Sequence, residues 1–172
     1  MKRKLIFILI LTITVIGFFA YSQADKPLDK SVAIDKIIVE KGKRKLNLYS
    51  NDKLIKTYSI SLGRNPKGDK EFEGDKKTPE GQYFINDKNP NSGYYKNLGI
   101  SYPNNQDIEK ADKLGKNPGG QIKIHGLKKG LGWIGKTHLL MDWTAGCIGL
   151  TNNEIDDLYE VIKIGTPIEI KP

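Results

Sequence analysis

The sequence has only one cysteine, Cys147, and only two histidines in 172 residues. A single cysteine excludes a scaffold held together by disulfides within the chain. No apolar heptad runs through four successive repeats, which excludes a coiled coil. The 18 glycines and 8 prolines indicate many turns, and therefore short strands rather than a bundle of helices.

The composition is that of an ordinary globular domain with a basic surface. Hydrophobic residues make up 38% of the chain, charged residues 28%, and the formal net charge is +8. This balance argues against a disordered chain, and the length favours one domain. The lysines are scattered and are not interleaved with aromatic residues, so we expect no nucleic-acid partner. A positive surface would suit an anionic envelope polymer or a membrane surface.

The N-terminus has the pattern of an export segment. Three basic residues at positions 2–4 precede a charge-free apolar run, 5–20, which is typical of a secretory signal. As a helix this run would span about 25 Å, short of the roughly 30 Å hydrocarbon core of a bilayer. We therefore predict that residues 1–24 are a signal peptide cleaved after Ala24, with an uncleaved membrane anchor as the alternative.

Either interpretation of the N-terminus carries the rest of the chain to the periplasm or the cell envelope. Contact with a membrane is then expected only through residues 1–24, and only if they stay uncleaved. The polar stretch 25–32, which contains Pro27, is predicted to be a linker. Residues 33–172 are expected to form one folded domain, and we expect it to be a monomer.

Alternating apolar residues and turn signals predict a β-rich α+β domain with two short helices. The pattern favours a meander of three strands at its start and a closing strand at its end. Thr151 and Glu154 have the spacing of a capping box and predict the start of a helix. The charged, turn-rich segment 63–79 is expected to be a surface loop. The predicted strands are 34–40, 45–50, 53–62, 81–85, 121–125 and 167–170. One predicted helix begins after Thr151. The other is 107–114, which has Ile108, Ala111 and Leu114 on one side.

Cys147 is a free thiol in a chain that is predicted to be exported to an oxidising compartment. Such a cysteine is either buried and inert or retained for its reactivity. Gly146 and Gly149 lie on either side of it, and residues without a Cβ let a substrate approach the backbone closely. From the local sequence alone, both the structural and the nucleophilic interpretation stay open.

His125 stands at the end of a predicted apolar strand and is followed by Gly126. A thiol nucleophile needs a base, and an adjacent imidazole can lower its pKa by about one unit or more. The strand end at His125 and the glycine-rich segment around Cys147 would put both groups at one edge of a sheet. We interpret them as a Cys–His pair, with a purely structural histidine as the alternative.

Three motifs occur in the order seen in the L,D-transpeptidases with a YkuD-type catalytic domain. The family pattern is T-P-x-G-x-[FY], then H-G, then [ST]-x-G-C. The corresponding residues here are Thr78–Tyr83 (TPEGQY), His125-Gly126 and Thr144–Cys147 (TAGC). Short segments around these motifs resemble the subgroup that includes the YafK-type murein enzymes. The resemblance extends over roughly residues 33–172, which it identifies as an L,D-transpeptidase catalytic domain.

This resemblance implies a β-sandwich catalytic domain that acts on the stem peptides of peptidoglycan without a cofactor or a metal. It implies that Cys147 attacks the third stem residue, releases D-Ala and forms a thioester. His125 would deprotonate the thiol and then protonate the leaving amine, while the carbonyl of Gly126 orients the imidazole. The amides of Gly146 and Cys147 would bind the oxyanion. From the residues themselves, Thr144 either hydrogen-bonds near the thiol or is a turn residue.

The sequence also departs from the commoner family pattern. Ala145 stands where that pattern has histidine, and Gly149 stands where it has asparagine or arginine. The interval between His125 and Cys147 is a few residues longer than is typical, and His138 lies in this insertion. His138 either supplies the missing imidazole or is a packed surface histidine. The identity of the acyl acceptor stays open. It is either an amine, of a second stem or of an envelope lipoprotein, or water. With water as the acceptor, the reaction would release a lipoprotein.

Three further residues are candidates for substrate binding. Tyr102 and Trp133 would line a groove for the sugar-peptide strand, although such aromatics are more often core or rim residues. Arg64 is one of three arginines and lies in the turn-rich segment. Its guanidinium would grip a carboxylate of the stem, unless it is simply a solvated loop charge.

Two other functions would use the same residues differently. A zinc amidase would need His125, His138 and Cys147 as ligands, but their spacing matches no recognised zinc motif. An envelope-binding module with a dead site would account for Ala145 and Gly149, but a mere binding protein has no need of a free thiol. The intact thiol and imidazole therefore favour an enzyme.

Overall fold

The computed structural model of the protein describes Thr12 and residues 28–172. Apart from Thr12, the predicted export segment 1–24 lies outside these residues. None of the helices in the described part of the chain is long and apolar enough to cross a membrane. The elements are the strands β1 (Lys36–Glu40), β2 (Lys45–Ser50), β3 (Lys53–Ser59), β4 (Gly81–Ser92), β5 (Tyr95–Ile100), β6 (Lys123–His125), β7 (Ile148–Gly149) and β8 (Pro167–Lys171), the helices α1 (Asn105–Lys113) and α2 (Asn152–Val161), and a kinked 3-10 segment, Gly132–Leu140.

The eight strands form one mixed sheet in the order β3-β2-β1-β8-β4-β5-β6-β7. β1, β2 and β3 make the predicted antiparallel meander, in which tight turns join consecutive strands. β8 lies parallel to β1, with Ile37 opposite Ile168, and antiparallel to β4. β6 and β7 are also parallel, with Ile124 opposite Ile148. This last pairing brings residues that are far apart in the sequence to one edge of the sheet.

The two ends of this strand order are joined by backbone hydrogen bonds. Ser61, just after β3, exchanges two of them with Gly149 of β7, at N···O distances of 3.0 and 2.8 Å. Thr144 adds two more, one to the carbonyl of Leu62 and one from the N–H of Arg64. The sheet therefore folds back on itself along a seam that flanks the predicted nucleophile. The predicted β-rich α+β fold with short helices is confirmed.

The core is built from the buried faces of the strands and one face of α2. Burying such apolar side chains is the main favourable contribution to folding. α2 begins at the predicted capping box: the Thr151 hydroxyl accepts from the N–H of Glu154, and the Glu154 carboxylate accepts from the N–H of Thr151. Ile155, Leu158 and Val161 are the buried apolar residues of this helix. The most deeply buried side chains of the strands and loops include Ile37, Leu46, Leu48, Leu62, Ile85, Leu98, Ile124, Ile148 and Leu150.

Of the three residues predicted to lie on one side of α1, only Ala111 is buried. Ile108 and Leu114 are 39% and 50% exposed, so the expected apolar stripe does not face the core. Asp107 is buried instead, because its carboxylate accepts from the N–H of Asn104 and from the hydroxyl of Tyr83. The buried residues of α1 are therefore a polar capping group, Asp107, and one small apolar residue, Ala111.

The middle of the sheet extends beyond the predicted bounds. β4 runs to Ser92 rather than ending at Ile85, with register shifts after Ile85 and after Asn89. Such bulges let a strand continue through a segment that contains Pro90, because a bulged residue needs no ladder hydrogen bond. β5 lacks the apolar alternation of a half-buried strand, and the sequence pattern therefore does not predict it.

The segment 63–79 is only partly the surface loop that its charge predicts. Lys70 and Asp75 form a salt bridge of 2.8 Å in which the side chains are 4% and 3% exposed. Lys41 is also buried, and its ammonium group donates to two carbonyls of the loop region and to Glu80. These buried cations hold the loop on the domain, because a charge removed from water must keep its partners.

The chain contacts the core already within the predicted linker 25–32. Leu28 is 5% exposed and belongs to the hydrophobic core, and Val32 packs against it. The part of this segment that the structure describes is therefore docked on the domain. The boundary between linker and domain at residue 33 stays a prediction.

Candidate active site

Cys147 and His125 line one cavity of about 380 Å³. The cavity lies beside the parallel pair β6 and β7, at the edge where the seam closes the sheet. Thr144 and Arg64, two other residues singled out from the sequence, line the same cavity. Four of the predicted site residues thus come together in space.

His125 is the last residue of β6 and is 6% exposed. Its Nδ1 lies 2.7 Å from the carbonyl oxygen of Gly126. A carbonyl can only accept a hydrogen bond, so Nδ1 carries the proton and Nε2 is left as the basic nitrogen. This contact is the one predicted for Gly126, and it holds the imidazole in the tautomer that a general base needs.

Cys147 directly precedes β7, and the pairing of β6 with β7 places it beside β6. The residue is half-buried, and its thiol donates to the carbonyl of Gln121 at an S···O distance of 3.6 Å. The thiol is open to the cavity rather than sealed in the core. This position favours the reactive over the inert interpretation of the cysteine.

Burial controls the protonation of both groups. Desolvation raises the pKa of the Cys147 thiol, and the backbone N–H of Lys123 and the charges of Lys123 and Lys70 lower it by less. Desolvation also lowers the pKa of His125, against the opposite effect of the hydrogen bond to Gly126. Both shifts favour the uncharged form, because a low-dielectric environment penalises charge. The pKa of the thiol is thus shifted upward, which does not support the expectation that the imidazole lowers it.

The loop 144–147 is held in shape by the hydroxyl of Thr144. This hydroxyl donates to the carbonyl of Cys147 at 2.7 Å and accepts from the N–H of Gly146 at 3.1 Å. The support expected from Thr144 thus consists of two hydrogen bonds within the nucleophile loop. The N–H of Gly146 is used in one of them, so the structure does not support the prediction that this amide binds an oxyanion.

Trp143 and Tyr94 form an aromatic wall of the cavity. Their rings stack with centroids 6.1 Å apart, and they contact the imidazole of His125 at 5.5 Å and 4.7 Å respectively. The indole also covers Gly149, where a Cβ would lie 2.9 Å from Cζ2 of Trp143. Packed rings of this kind bury the imidazole and restrict its orientation.

His138 does not line the cavity that holds Cys147. It is 5% exposed behind Trp143, and its Nδ1 lies 3.0 Å from Oγ of Ser61 and 3.3 Å from Nε1 of Trp143. The ring borders a second, apolar cavity of about 330 Å³ instead. The structure therefore does not support the role in which His138 supplies the imidazole that the commoner family pattern has at the position of Ala145.

Arg64 lines the cavity, whereas Tyr102 and Trp133 do not. Nε of Arg64 donates to the carbonyl of Trp143 at 3.1 Å, which ties its loop to the nucleophile loop. Tyr102 is 5% exposed in the core, and its hydroxyl donates to the carbonyl of Pro118. Trp133 is 82% exposed on the 3-10 segment. The positions of these two aromatics therefore do not support the substrate groove expected from them.

Several residues of the cavity carry no signal in a single sequence. Asn97 of β5 stands opposite His125 of β6 and is 5% exposed. Its Oδ1 is buried without a hydrogen-bond partner among the described residues, so it is available to a ligand that donates. Long-range strand pairing brings it there, which a local pattern cannot reveal. Lining residues that the sequence reasoning missed include Lys76, Tyr94, Asn97, Gln121, Lys123 and Trp143.

The zinc alternative finds no ligand set in the described part of the chain. There, no group of three or more His, Cys, Asp or Glu side chains is arranged to hold a metal ion. His138 and Cys147, two of the ligands that a zinc amidase would need, border different cavities.

Known proteins resemble the chain in sequence. The family model of the YkuD L,D-transpeptidase catalytic domain matches residues 34–170. The chain is 29% identical over 132 residues to YafK of Escherichia coli strain K12, which bears the provisional name of an L,D-transpeptidase. That match covers 73% of this chain and 46% of YafK.

Solved structures resemble it in fold. The helical cell shape determining protein Pgp2 of Campylobacter jejuni matches with a TM-score of 0.60 and 26% identity, over 91% of this chain and 55% of Pgp2. An L,D-transpeptidase from Mycobacterium smegmatis shares the fold with a TM-score of 0.53 at 13% identity, over 80% of this chain and 58% of its own. The chain thus spans about half the length of YafK and of Pgp2.

Proposed function

The chain belongs to the family of YkuD-type L,D-transpeptidase catalytic domains, and on this premise we propose that it is a cysteine-dependent acyltransferase acting on the stem peptides of peptidoglycan. Cys147 would carry the acyl group as a thioester. One observation carries the proposal: Cys147 and His125 line one cavity, and Gly126 holds the imidazole in the tautomer of a general base.

The proposed first half-reaction starts from a neutral thiol and a neutral imidazole, the forms that burial favours. Nε2 of His125 accepts the thiol proton while Sγ of Cys147 attacks the stem carbonyl, so charge develops only as the reaction proceeds. The imidazolium then returns its proton to the leaving amine. The carbon–nitrogen bond breaks, the carbon–sulfur bond remains, and the released residue departs with a neutral amine.

The second half-reaction regenerates the thiol. An acceptor amine attacks the thioester carbonyl and gives a proton to Nε2 of His125, and the departing thiolate takes that proton back. The amide bond that forms replaces the one that broke, so the exchange needs no external source of energy. Water in the place of the amine would follow the same steps and give hydrolysis, so the products distinguish the two acceptors.

The proposed place of this reaction is outside the cytoplasmic membrane. Residues 1–24 have the composition of an export segment, cleaved or retained as an anchor. Peptidoglycan, the proposed substrate, lies on that side of the membrane. Because Pgp2 is described as a determinant of helical cell shape, a contribution to cell shape is part of the proposal for this chain.

Incubation with defined stem tetrapeptides, followed by mass spectrometry of the intact protein and of the products, tests the proposal. We expect an acyl adduct on Cys147 together with release of the fourth stem residue. A second stem that offers an amine should discharge the adduct as a cross-linked dimer. With a lipoprotein-linked stem, freed lipoprotein ends would instead indicate hydrolysis.

Two variants serve as controls for the nucleophile and the base. Cys147→Ala should fold normally, because alanine fits a half-buried site, and should form no adduct. His125→Ala should slow adduct formation by about 10²- to 10⁴-fold, the usual contribution of a general acid–base group. If the folded wild-type protein forms no adduct with any stem peptide, the acyltransferase proposal fails in favour of a binding module.

A further inference from the structure

Among the described residues, three cations and no carboxylate line the cavity that holds Cys147. The cations are Arg64, Lys76 and Lys123. We propose that this charge selects stem peptides whose carboxylates are free and disfavours stems in which those carboxylates are amidated. The inference rests on the proposed function, since it names the substrate class of the same site.

Arg64 is held in place by the chain that leads to the nucleophile. Its Nε donates to the carbonyl of Trp143 at 3.1 Å, and its backbone N–H donates to the carbonyl of Thr144 at 3.0 Å. The side-chain contact uses one of the five N–H groups of the guanidinium. A guanidinium that is fixed at Nε presents a preorganised fork, the geometry that binds a carboxylate through two hydrogen bonds.

Lys123 and Lys76 reach the cavity from two other positions. Lys123 opens β6, two residues before His125, and its side chain is 23% exposed. Lys76 lies in the loop 63–79 and is exposed, and its carbonyl accepts from the N–H of Asn65 at 3.1 Å, which fixes the backbone there. Cations from separate elements thus surround one space, where a stem peptide with more than one carboxylate can meet them together.

Two acids near these cations are placed outside the cavity. Asp87 lies 3.5 Å from Nζ of Lys123, but it is 53% exposed and does not line the cavity. Asp75, next to Lys76 in the sequence, is buried in its salt bridge with Lys70. A long ion pair whose carboxylate is half exposed neutralises little of the cation's field, so the cavity keeps a positive potential that favours an anionic ligand.

The test compares two stem tetrapeptides that differ only in amidation. The full-length protein is incubated with the free-acid stem, or with the same stem carrying its side-chain and α-carboxyl groups as amides. Intact mass then gives the rate of thioester formation on Cys147. We expect the free-acid stem to react about tenfold faster or more, the ratio that the loss of one charge-assisted hydrogen bond implies. Added salt should reduce this ratio, because it screens exposed charges.

The outcomes separate the inference from the function on which it rests. Equal rates for the two stems overturn the inference and leave the proposed function intact. A faster reaction of the amidated stem overturns it as well. If neither stem forms a thioester, the proposed function fails, and the inference fails with it.

Variants that remove one charge locate the selection. Arg64→Gln, Lys76→Gln and Lys123→Gln should each slow the reaction of the free-acid stem and bring the two rates closer together. Lys53→Gln is the matched control at an exposed position at the start of β3, outside the cavity, and should leave both rates unchanged. The ratio of the rates is decisive, because a variant that only disturbs packing slows both stems alike. A ratio that stays at the wild-type value in all three cavity variants overturns the inference.

Discussion

The indole Nε1–H of Trp143 donates a hydrogen bond to Nδ1 of His138 at 3.3 Å. The same Nδ1 lies 3.0 Å from Oγ of Ser61, whose hydroxyl donates to the carbonyl of His138. Burial lowers the pKa of His138, which favours the neutral imidazole. The same indole lies against His125. The second histidine of the chain therefore positions a wall of the cavity and does not join its chemistry.

Replacing His138 separates the effect of this hydrogen bond from that of the ring. His138→Asn keeps an acceptor for the indole, whereas His138→Leu leaves a buried N–H without a partner. We expect the leucine variant to lose about 1–3 kcal/mol of unfolding free energy in urea, and the asparagine variant to lose less. The thioester rate should fall in the same order, since Trp143 is no longer fixed beside His125. Equal stability and rate in both variants would show that the hydrogen bond does not fix the indole.

The pH dependence of acylation should follow His125 rather than a thiolate. Burial lowers the pKa of His125 from 6.5 and raises that of Cys147 from 9.0. The imidazole therefore stays neutral down to a pH below 6.5. We expect kcat/KM to be level through neutral pH and to fall only in that acidic range, because protonation of the imidazole removes the base. The measurement is the pH profile of kcat/KM for a stem peptide.

Alkylation by iodoacetamide provides the control for this profile, because it requires the thiolate. The alkylation rate of Cys147 should be low at neutral pH and should still rise above pH 9.0. A plateau in alkylation that begins below neutral pH would instead reveal a thiolate–imidazolium pair and contradict the neutral state.

Gly146 should not tolerate a side chain. Its φ is +134°, and a Cβ there would lie 2.6 Å from the carbonyl oxygen of Lys77. Gly146→Ala should therefore lower the free energy of unfolding by about 1–3 kcal/mol. It should also displace Cys147 and slow acylation by about tenfold to a hundredfold. Gly120→Ala is the matched control, because no atom lies within 4 Å of the position that its Cβ would take. Equal stability and equal activity of the two variants would show that the nucleophile loop adapts without a loss of free energy.

The buried pair of Lys70 and Asp75 should stabilise the protein more than an exposed pair does. Lys70→Met leaves the Asp75 carboxylate buried without its cation, and we expect a loss of about 3–5 kcal/mol in urea unfolding. Lys36→Met breaks the exposed pair with Asp52, whose side chains are 37% and 92% exposed, and should lower the free energy of unfolding far less, because water screens exposed charges. Similar losses in both variants would mean that burial adds nothing to the pair in the loop.

The sequence by itself determines the features that depend on neighbouring residues. The capping box at Thr151 and the meander of β1 to β3 follow from local hydrogen bonds and turn chemistry, so both can be predicted along the chain. The order of the motifs around His125 and Cys147 is likewise a property of the sequence, and it is sufficient to indicate the family. The helix α1 shows the limit of such patterns, since apolar spacing does not reveal that the helix buries a capping carboxylate, Asp107, and leaves Ile108 exposed.

Only the tertiary structure decides which side chains meet. Asn97 and Lys123 reach the cavity through strand pairing, and Lys76 reaches it through a loop that buried charges hold in place. Tertiary packing also decides the protonation of the Cys147 thiol, because desolvation depends on every group packed around an ionisable side chain and not on its neighbours in the sequence. Packing also decides that His138 contacts the indole of Trp143 and not the thiol of Cys147. The acceptor for that indole is known only once the closed sheet is known.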